Sequence, residues 1–301
     1  MMTKHFIDLD DHSFEDLQGI IDNAIALKKS HKSGEINESL KNKTLAMIFD
    51  KSSTRTRVSF ESGMTQLGGH SLFLSDKDIQ IGRGEPITDS AIVISSMVDA
   101  VMLRVSSHED ILAFAKHAST PVINALSDES HPCQMLADLM TYQEHRGSIK
   151  GKKVVWIGDG NNVCQTFMQA AEIFDFELII STPKGYEADQ GFVNKYQNNI
   201  NYCSNPVEAC KSADLVVTDV WASMGMESEQ KARELAFKDF QVDQQMMSVA
   251  NENALFMHCL PAHRGEEVSG DVIDGKQSVI WDEAENRLHA QKALLLYLIN
   301  G

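Results

Sequence analysis

Short apolar runs alternate with longer stretches of helical periodicity along nearly the whole chain. In the first half, TLAMIFD, HSLFLS, AVMLR and PVINAL read as strands. A helix is expected around Ser13–His31. RVSFESGMTQLG carries helical spacing and stops at Gly68-Gly69, a helix-end signal. Ser90 to Met97 predicts another helix, and Ser107 with Asp110 forms a capping-box-like start for HEDILAFAKHA. SDESHPCQMLADLMTYQEHRG predicts a long helix after a short loop. DKDIQIGRGEPITD is polar and punctuated by Gly, hence a loop.

A second alternating set follows. KKVVWIGDG predicts a strand running into a Gly turn, VCQTFMQAAEIF a helix, FELIIST a strand and GFVNKYQ a helix. INYC, NPVEACKSA and DLVVTDV continue as strand, helix and strand. The loop WASMGMESEQ leads to a helical region ending at Val249, then to the strands ALFMHCLP and SVIW. DEAENRLHAQKALLLYLIN predicts a closing amphipathic helix. Strands alternating with helices at this scale imply α/β domains with parallel sheets. The strands are almost wholly apolar, as expected when both sheet faces are covered. A chain of 301 residues exceeds the usual size of one core, so two domains are expected. The break in pattern near Thr141–Lys152 places the boundary.

Composition narrows the function classes. The chain is 43% hydrophobic and 23% charged, ordinary for a globular domain. Its formal net charge of −16 argues against a nucleic-acid or anionic-membrane partner. A local Arg pocket for a small anion remains compatible with it. No apolar run is long enough to span a bilayer, and the N-terminal segment lacks a signal-peptide core, so a cytoplasmic protein is expected. The cysteines, Cys133, Cys164, Cys203, Cys210 and Cys259, are odd in number and contain no CxxC, which predicts reduced thiols. No HExxH, CxxC or clustered carboxylate pattern points to a metal, and no cofactor is expected.

The candidate chemistry starts at FDKSSTRTRVSFE, Phe49 to Glu61. A strand delivers Ser52, Ser53, Thr54, Arg55 and Thr56 to the start of a helix. Free backbone N–H groups in that first turn form an anion site that the helix dipole favours. The hydroxyls add donors, and Arg55 or Arg57 adds a planar fork suited to phosphate oxygens. A capped helix with exposed arginines would account for one or two of the hydroxyls, but not for their alternation with Arg. The segment lacks the Gly-rich pattern of a nucleoside-triphosphate loop. Arg104 ends AVMLR, and His131 and Gln134 open the long helix after PVINAL. Open parallel sheets bind ligands beyond the carboxyl ends of their strands, so Arg104, His131 and Gln134 are expected to converge with the Ser/Thr/Arg turn on one ligand. Taken singly, Arg104 also suits a surface ion pair and His131 a helix-entry cap. WIGDGNNVCQ lacks the third glycine of a dinucleotide loop, and FELIIST ends without an acidic residue for a ribose, so an NAD site is not expected.

Four ordered motifs carry a family resemblance: STRTR at Ser53–Arg57, HPCQ at His131–Gln134, DVWASMG at Asp219–Gly225 and HCLP at His258–Pro261. They resemble the carbamoyltransferases over essentially the whole chain, and the SMG loop with HCLP is similar to the ornithine branch. The resemblance implies two parallel-sheet α/β domains. They are a carbamoyl-phosphate domain over 1–140 and an ornithine domain over 141–280, with a helix over 281–301 returning to the first. It implies that Ser53, Thr54, Arg55 and Thr56 hold phosphate, and that Arg104 bridges phosphate and the carbamoyl oxygen. His131 and Gln134 would contact the carbamoyl group. Gln80 would reach carbamoyl phosphate near a subunit interface, and Arg287 would join the set. Asn162, Asp219, Ser223 and Met224 would hold ornithine, with Cys259 by the δ-amine and the backbone of Leu260 on the carbamoyl group. The implied catalytic set is Arg104, His131 and Cys259, with no metal. A homotrimer or an assembly of trimers is implied, acting on carbamoyl phosphate and L-ornithine in arginine biosynthesis or in the reverse, catabolic direction. Carbamoylation of aspartate, putrescine or N-acetylornithine is the rival within the class. A protein of this fold without turnover, and a dinucleotide-dependent dehydrogenase, are rivals outside it.

Overall fold

The computed structural model describes residues 3–75, 84–222 and 229–301. They fall into two compact units, Met1–Met140 with Glu285–Gly301, and Thr141–Ala284. The first unit holds the strands β1 (Thr44–Phe49), β2 (His70–Ser75), β3 (Ala100–Arg104) and β4 (Val122–Leu126). They form a parallel sheet in the order β2-β1-β3-β4. Its helices are α1 (Phe14–Lys32), α2 (Thr54–Gln66), α3 (Ile87–Ser95), α4 (His108–His117) and α5 (Pro132–Arg146), whose last turns belong to the second unit. Ala46, Ile48, Val101 and Leu103 alternate along β1 and β3 and pack on Ile111 and Phe114 of α4. Residues of opposite parity, such as Leu45, Met47 and Met102, are buried as well, which is why these strands carry no polar face.

In the second unit the chain runs β5 (Lys153–Ile157), α6 (Asn162–Phe174), β6 (Glu177–Ser181), α7 (Gln190–Lys195) and β7 (Ile200–Tyr202). It continues through α8 (Pro206–Ala209), β8 (Leu215–Thr218), α9 (Gln230–Phe237), α10 (Gln244–Val249), β9 (Leu255–His258) and α11 (Gly270–Ile273). The sheet order is β7-β6-β5-β8-β9, again parallel. Val155, Ile157, Val216 and Phe256 form its core with Met246 and Val272. α12 (Ile280–Ile299) closes the chain, and its residues from Glu285 onward belong to the first unit. There Asn286 Oδ1 accepts from Lys28 Nζ at 2.7 Å, and Lys292 Nζ donates to Gln66 Oε1 at 3.0 Å.

SVIW differs from its expected strand. Only Ser278 makes a bridge, to Phe256, and Ile280 and Trp281 already lie in α12. A short apolar run has no period of its own. Here Asp282 and Glu283 in the first turn favour a helix start. The helix expected from Ser90 also starts earlier, at Ile87 behind Pro86.

Strand order fixes where ligands go. In the first unit the connections run from β1 to β2 on one side and then back to β3 on the other. The reversal lies between β1 and β3. In the second unit it lies between β5 and β8. Such reversals leave a crevice at the strands' carboxyl ends. The loop after β5 is tightly held: Gly160 N donates to Tyr186 O at 2.8 Å. A Cβ at Gly160 would lie 2.1 Å from Ala188 N, among backbone atoms that cannot rotate away. Gly160→Ala should therefore lower the melting temperature by about 5 °C or more, through overpacking. An unchanged melting curve would refute this packing.

Candidate active site

At the β1/β3 reversal, Ser53 caps α2, its Oγ accepting from Thr56 N at 3.3 Å. Thr54, the first helical residue, is exposed, Arg55 is half-buried and Thr56 is fully buried. Three side chains meet at Thr56 Oγ1. Arg104 Nη1 donates to it at 3.2 Å, Arg287 Nη2 donates at 3.1 Å, and Ser53 Oγ stands 3.1 Å away. Arg104 is the last residue of β3, where the pairing with β4 shifts register. Arg287 comes from α12 and also donates through Nη1 to Gln134 Oε1 at 2.9 Å. Gln134 in turn donates through Nε2 to Asp138 Oδ1 at 2.8 Å, so both ends of its amide are oriented. Arg57, the alternative fork, turns to Glu61 at 3.0 Å and lies over the Phe73 ring. Arg55 is therefore the arginine left with the turn.

His131 is buried at the start of α5. Burial holds its imidazole well below the usual histidine range, and the charges of Arg287, Arg104 and Arg55 push in the same direction. It is a neutral ring among cations, suited to hydrogen bonding. Cys133 beside it is pushed up to about 12 by burial and stays a thiol.

At the β5/β8 reversal of the second unit, Asn161 caps α6, its Oδ1 accepting from Val163 N at 3.0 Å and Cys164 N at 3.1 Å. Its Nδ2 donates to Asp219 Oδ2 at 2.8 Å. Asp219 follows β8, and its Oδ1 accepts from Val220 N at 2.8 Å and from Cys259 Sγ at 3.1 Å. Cys259 follows β9. His258 Nδ1 accepts from Leu260 N at 2.9 Å, which leaves Nε2 to carry the proton and donate to Glu267 Oε1 at 3.1 Å. The same Glu267 oxygen accepts from His263 N at 2.6 Å. Leu260 adopts φ +57°, a left-handed conformation that a branched side chain disfavours. Its N–H bond to His258 helps to hold it there.

Ser53, Arg55, Thr56, Arg104, His131, Gln134 and Arg287 thus gather in the first unit, with Thr54 on the exposed side of the turn. Asp219, Cys259 and Leu260 gather in the second. Asn162 begins α6 beside this group, but it is Asn161 that touches Asp219. Gln80, Ser223 and Met224 lie outside the described residues. Asn161, Glu267 and the buried Asp159–Arg233 pair were not singled out from the sequence. The capping position directly before VCQ was the one signal available, and it falls on Asn162; α6 starts one residue earlier, so the cap is Asn161.

Two switch-point sites, one cationic and one built on a carboxylate, define a two-ligand α/β protein. Residues 4–144 match the carbamoyl-phosphate-binding domain of the aspartate/ornithine carbamoyltransferases, and residues 150–298 match their aspartate/ornithine-binding domain. The chain belongs to the aspartate/ornithine carbamoyltransferase family. It is 68% identical over 299 residues to the ornithine carbamoyltransferase of Ruthia magnifica, covering 99% of this chain and 100% of that protein. The Hydrogenovibrio crunogenus ornithine carbamoyltransferase is 60% identical over 299 residues, covering 99% of each. Among solved structures, the ornithine carbamoyltransferase of Pyrococcus furiosus superposes with a TM-score of 0.96 at 49% identity, covering 99% of this chain and 97% of that one. That of Burkholderia thailandensis gives 0.92 at 53% identity, covering 98% of each.

Two outcomes are expected. Thr56→Val removes the oxygen shared by two guanidiniums and should weaken binding of inorganic phosphate about tenfold, read by calorimetry. Binding unchanged from wild type would separate Thr56 from the anion site. The second concerns pH. His131 stays neutral when folded, whereas the unfolded chain takes up a proton near pH ~6.5. The unfolded state then binds more protons, so stability falls as pH drops below about 6.5. The melting temperature of His131→Asn should fall less between pH ~7.5 and ~5.5 than that of wild type. Parallel curves would show that His131 does not contribute.

Proposed function

We propose that this chain transfers the carbamoyl group of carbamoyl phosphate to the δ-amine of L-ornithine, releasing L-citrulline and phosphate. The observation that carries the reading is the convergence of Arg104 and Arg287 on Thr56 at the capped start of α2, beside a neutral His131. This arrangement suits a phosphate joined to an uncharged acyl group. The 68% identity to an ornithine carbamoyltransferase supports ornithine as the acceptor.

In this reading Ser53, Thr54, Arg55 and Thr56 hold the phosphate, with Gln80 and Arg287 completing the grip. Arg104, His131 and the backbone at Leu260 stabilise the negative charge that develops on the carbamoyl oxygen. Gln134 orients the carbamoyl group. Asn162, Asp219, Ser223 and Met224 hold the amino acid. A δ-ammonium has a pKa near ~10, and only its neutral form attacks. The Asp219 carboxylate is the acceptor for the first proton: Cys259, whose thiol donates to it, passes its own proton to Asp219 and takes up the one from the amine. The amine nitrogen then bonds the carbamoyl carbon, the C–O bond to phosphate breaks, and the nitrogen's surplus proton leaves with the phosphate. Holding both substrates at once supplies much of the rate.

The first unit up to residue 140 would be the carbamoyl-phosphate domain and residues 141–280 the ornithine domain, with 281–301 returning to the first. A homotrimer, or an assembly of trimers, belongs to the same reading. The exposed Ile92 and Val93 of α3 and the exposed Met97 after it support a covered face there. Free thiols at all five cysteines suit a cytoplasmic setting. No helix among the described residues is long and apolar enough to cross a membrane.

The test is colorimetric citrulline formation. Wild type should carbamoylate ornithine and leave aspartate, putrescine and N-acetylornithine unmodified. Arg55→Gly should nearly abolish turnover with an unchanged circular-dichroism spectrum. Cys259→Ser should lower kcat by about tenfold or more, as expected for a group acting at the proton transfer. Normal kcat in either variant would refute its assigned role.

A further inference from the structure

Arg233 of α9 is a buried cation that none of these roles uses. Its guanidinium donates through Nη1 to Asp159 Oδ2 at 2.9 Å and to Trp221 O at 2.8 Å, and through Nε to Glu229 Oε2 at 3.2 Å. It also lies 4.9 Å from the centre of the Tyr186 ring. Two of these partners, Asp159 and Trp221, belong to the two arms of the β5/β8 crevice. Asp159 lies in the loop after β5, two residues before Asn161. Trp221 lies in the loop after β8, two residues after Asp219. Tyr186 O accepts from Gly160 N at 2.8 Å, and Asp159 O accepts from Trp156 Nε1 at 2.9 Å, so the first arm is fixed to the sheet as well. The Trp221 ring stacks on Phe237, one turn along α9 from Arg233.

Stability alone does not ask for this arrangement. A well-packed apolar pair would serve a buried interface as well as a desolvated ion pair does, or better. Burial in fact pushes the Asp159 carboxyl above its usual range, with the negative charge of Asp219 adding to this, and Arg233 pulls it back. What a planar fork supplies instead is fixed geometry between two acceptors. Two residues from each acceptor along its loop stand Asn161 and Asp219, whose side chains meet at 2.8 Å.

We propose that Arg233 is a positioning residue for the amino-acid substrate. By clamping Asp159 and the Trp221 carbonyl, it sets the spacing of the loops that present Asn161 and Asp219. The inference rests on the ornithine reading above. It predicts a selective defect. Loosening the clamp disturbs the carboxylate that receives the amino acid and leaves the phosphate turn, built from residues of the other unit, unchanged.

The experiment uses the full-length protein with Arg233→Lys, Arg233→Met and the double change Arg233→Met with Asp159→Leu, measuring both substrates. Arg233→Lys keeps the charge beside Asp159 but loses the fork. The double variant removes both buried charges, so it stays folded if the single Met change does not. Ornithine KM should rise about tenfold or more in every variant that folds, while the dissociation constant for carbamoyl phosphate stays within about twofold of wild type. Lys should recover part of what Met loses. Ornithine KM within about twofold of wild type in a folded variant overturns the proposal. So do equal shifts for both substrates, a fall in kcat alone, or failure of all three variants to fold. A wild-type protein that makes no citrulline overturns the ornithine reading instead, and the two failures are thereby distinct.

Discussion

Two guanidiniums, Arg104 and Arg287, donate to one neutral hydroxyl at Thr56. Their charges repel, and a hydroxyl carries no charge to offset them. The neighbouring His131 is driven neutral, which adds no further repulsion and no compensation. The capped start of α2 contributes a partial positive charge to the same place. Guanidinium donors and a helix start thus point at one place, an arrangement that favours a bound anion. Much of the fold of the first unit serves this arrangement. β3 ends on Arg104, Ser53 caps α2 to bring Thr56 inward, and the chain's last helix brings Arg287 in from more than 200 residues away.

The second unit uses the same topology with the opposite sign. Its central feature is the Asp219 carboxylate, which accepts from a backbone N–H, an amide and a thiol. Reversal of strand order produces both places. At a reversal the two flanking loops depart to opposite sides and leave the strand ends open. Parallel sheets also bury their strands on both faces, so the strand ends are where polar side chains are admitted. The apolar strands and the polar termini are therefore one design. Arg104, Asp219 and Cys259 all sit within a residue of where a strand stops.

This explains what was legible in the sequence. Apolar runs with polar ends revealed the strands, and the hydroxyl/Arg alternation pointed to a small anion. Arg55 over Arg57 was not decidable, because it depends on Arg57 meeting Glu61 four residues on and Phe73 across the sheet. Asn162 drew attention through motif position, whereas Asn161 makes the contact with Asp219, because the capping residue is the one that faces out of the helix. Glu267 and Arg233 were invisible for a different reason. A charged residue in a loop or helix reads as solvated, and only burial turns it into a partner. SVIW failed through length: four apolar letters fit a strand or the first turn of a helix equally well.

The net charge of −16 completes the picture. At long range this acidic surface opposes an anionic ligand, but physiological salt screens charges beyond about 8 Å. Inside the β1/β3 crevice the balance is reversed, because the arginines are close and partly or wholly desolvated, where Coulomb terms are strongest. An anionic ligand of that crevice would therefore be recognised on contact rather than steered in from a distance. A cationic amine would meet the converse: the surface attracts it, and it would have to lose a proton before it could attack. The two half-sites differ accordingly. The first is an array of charged donors with a neutral ring among them. The second centres on a single acceptor, Asp219, and on the groups that fix where its oxygens point.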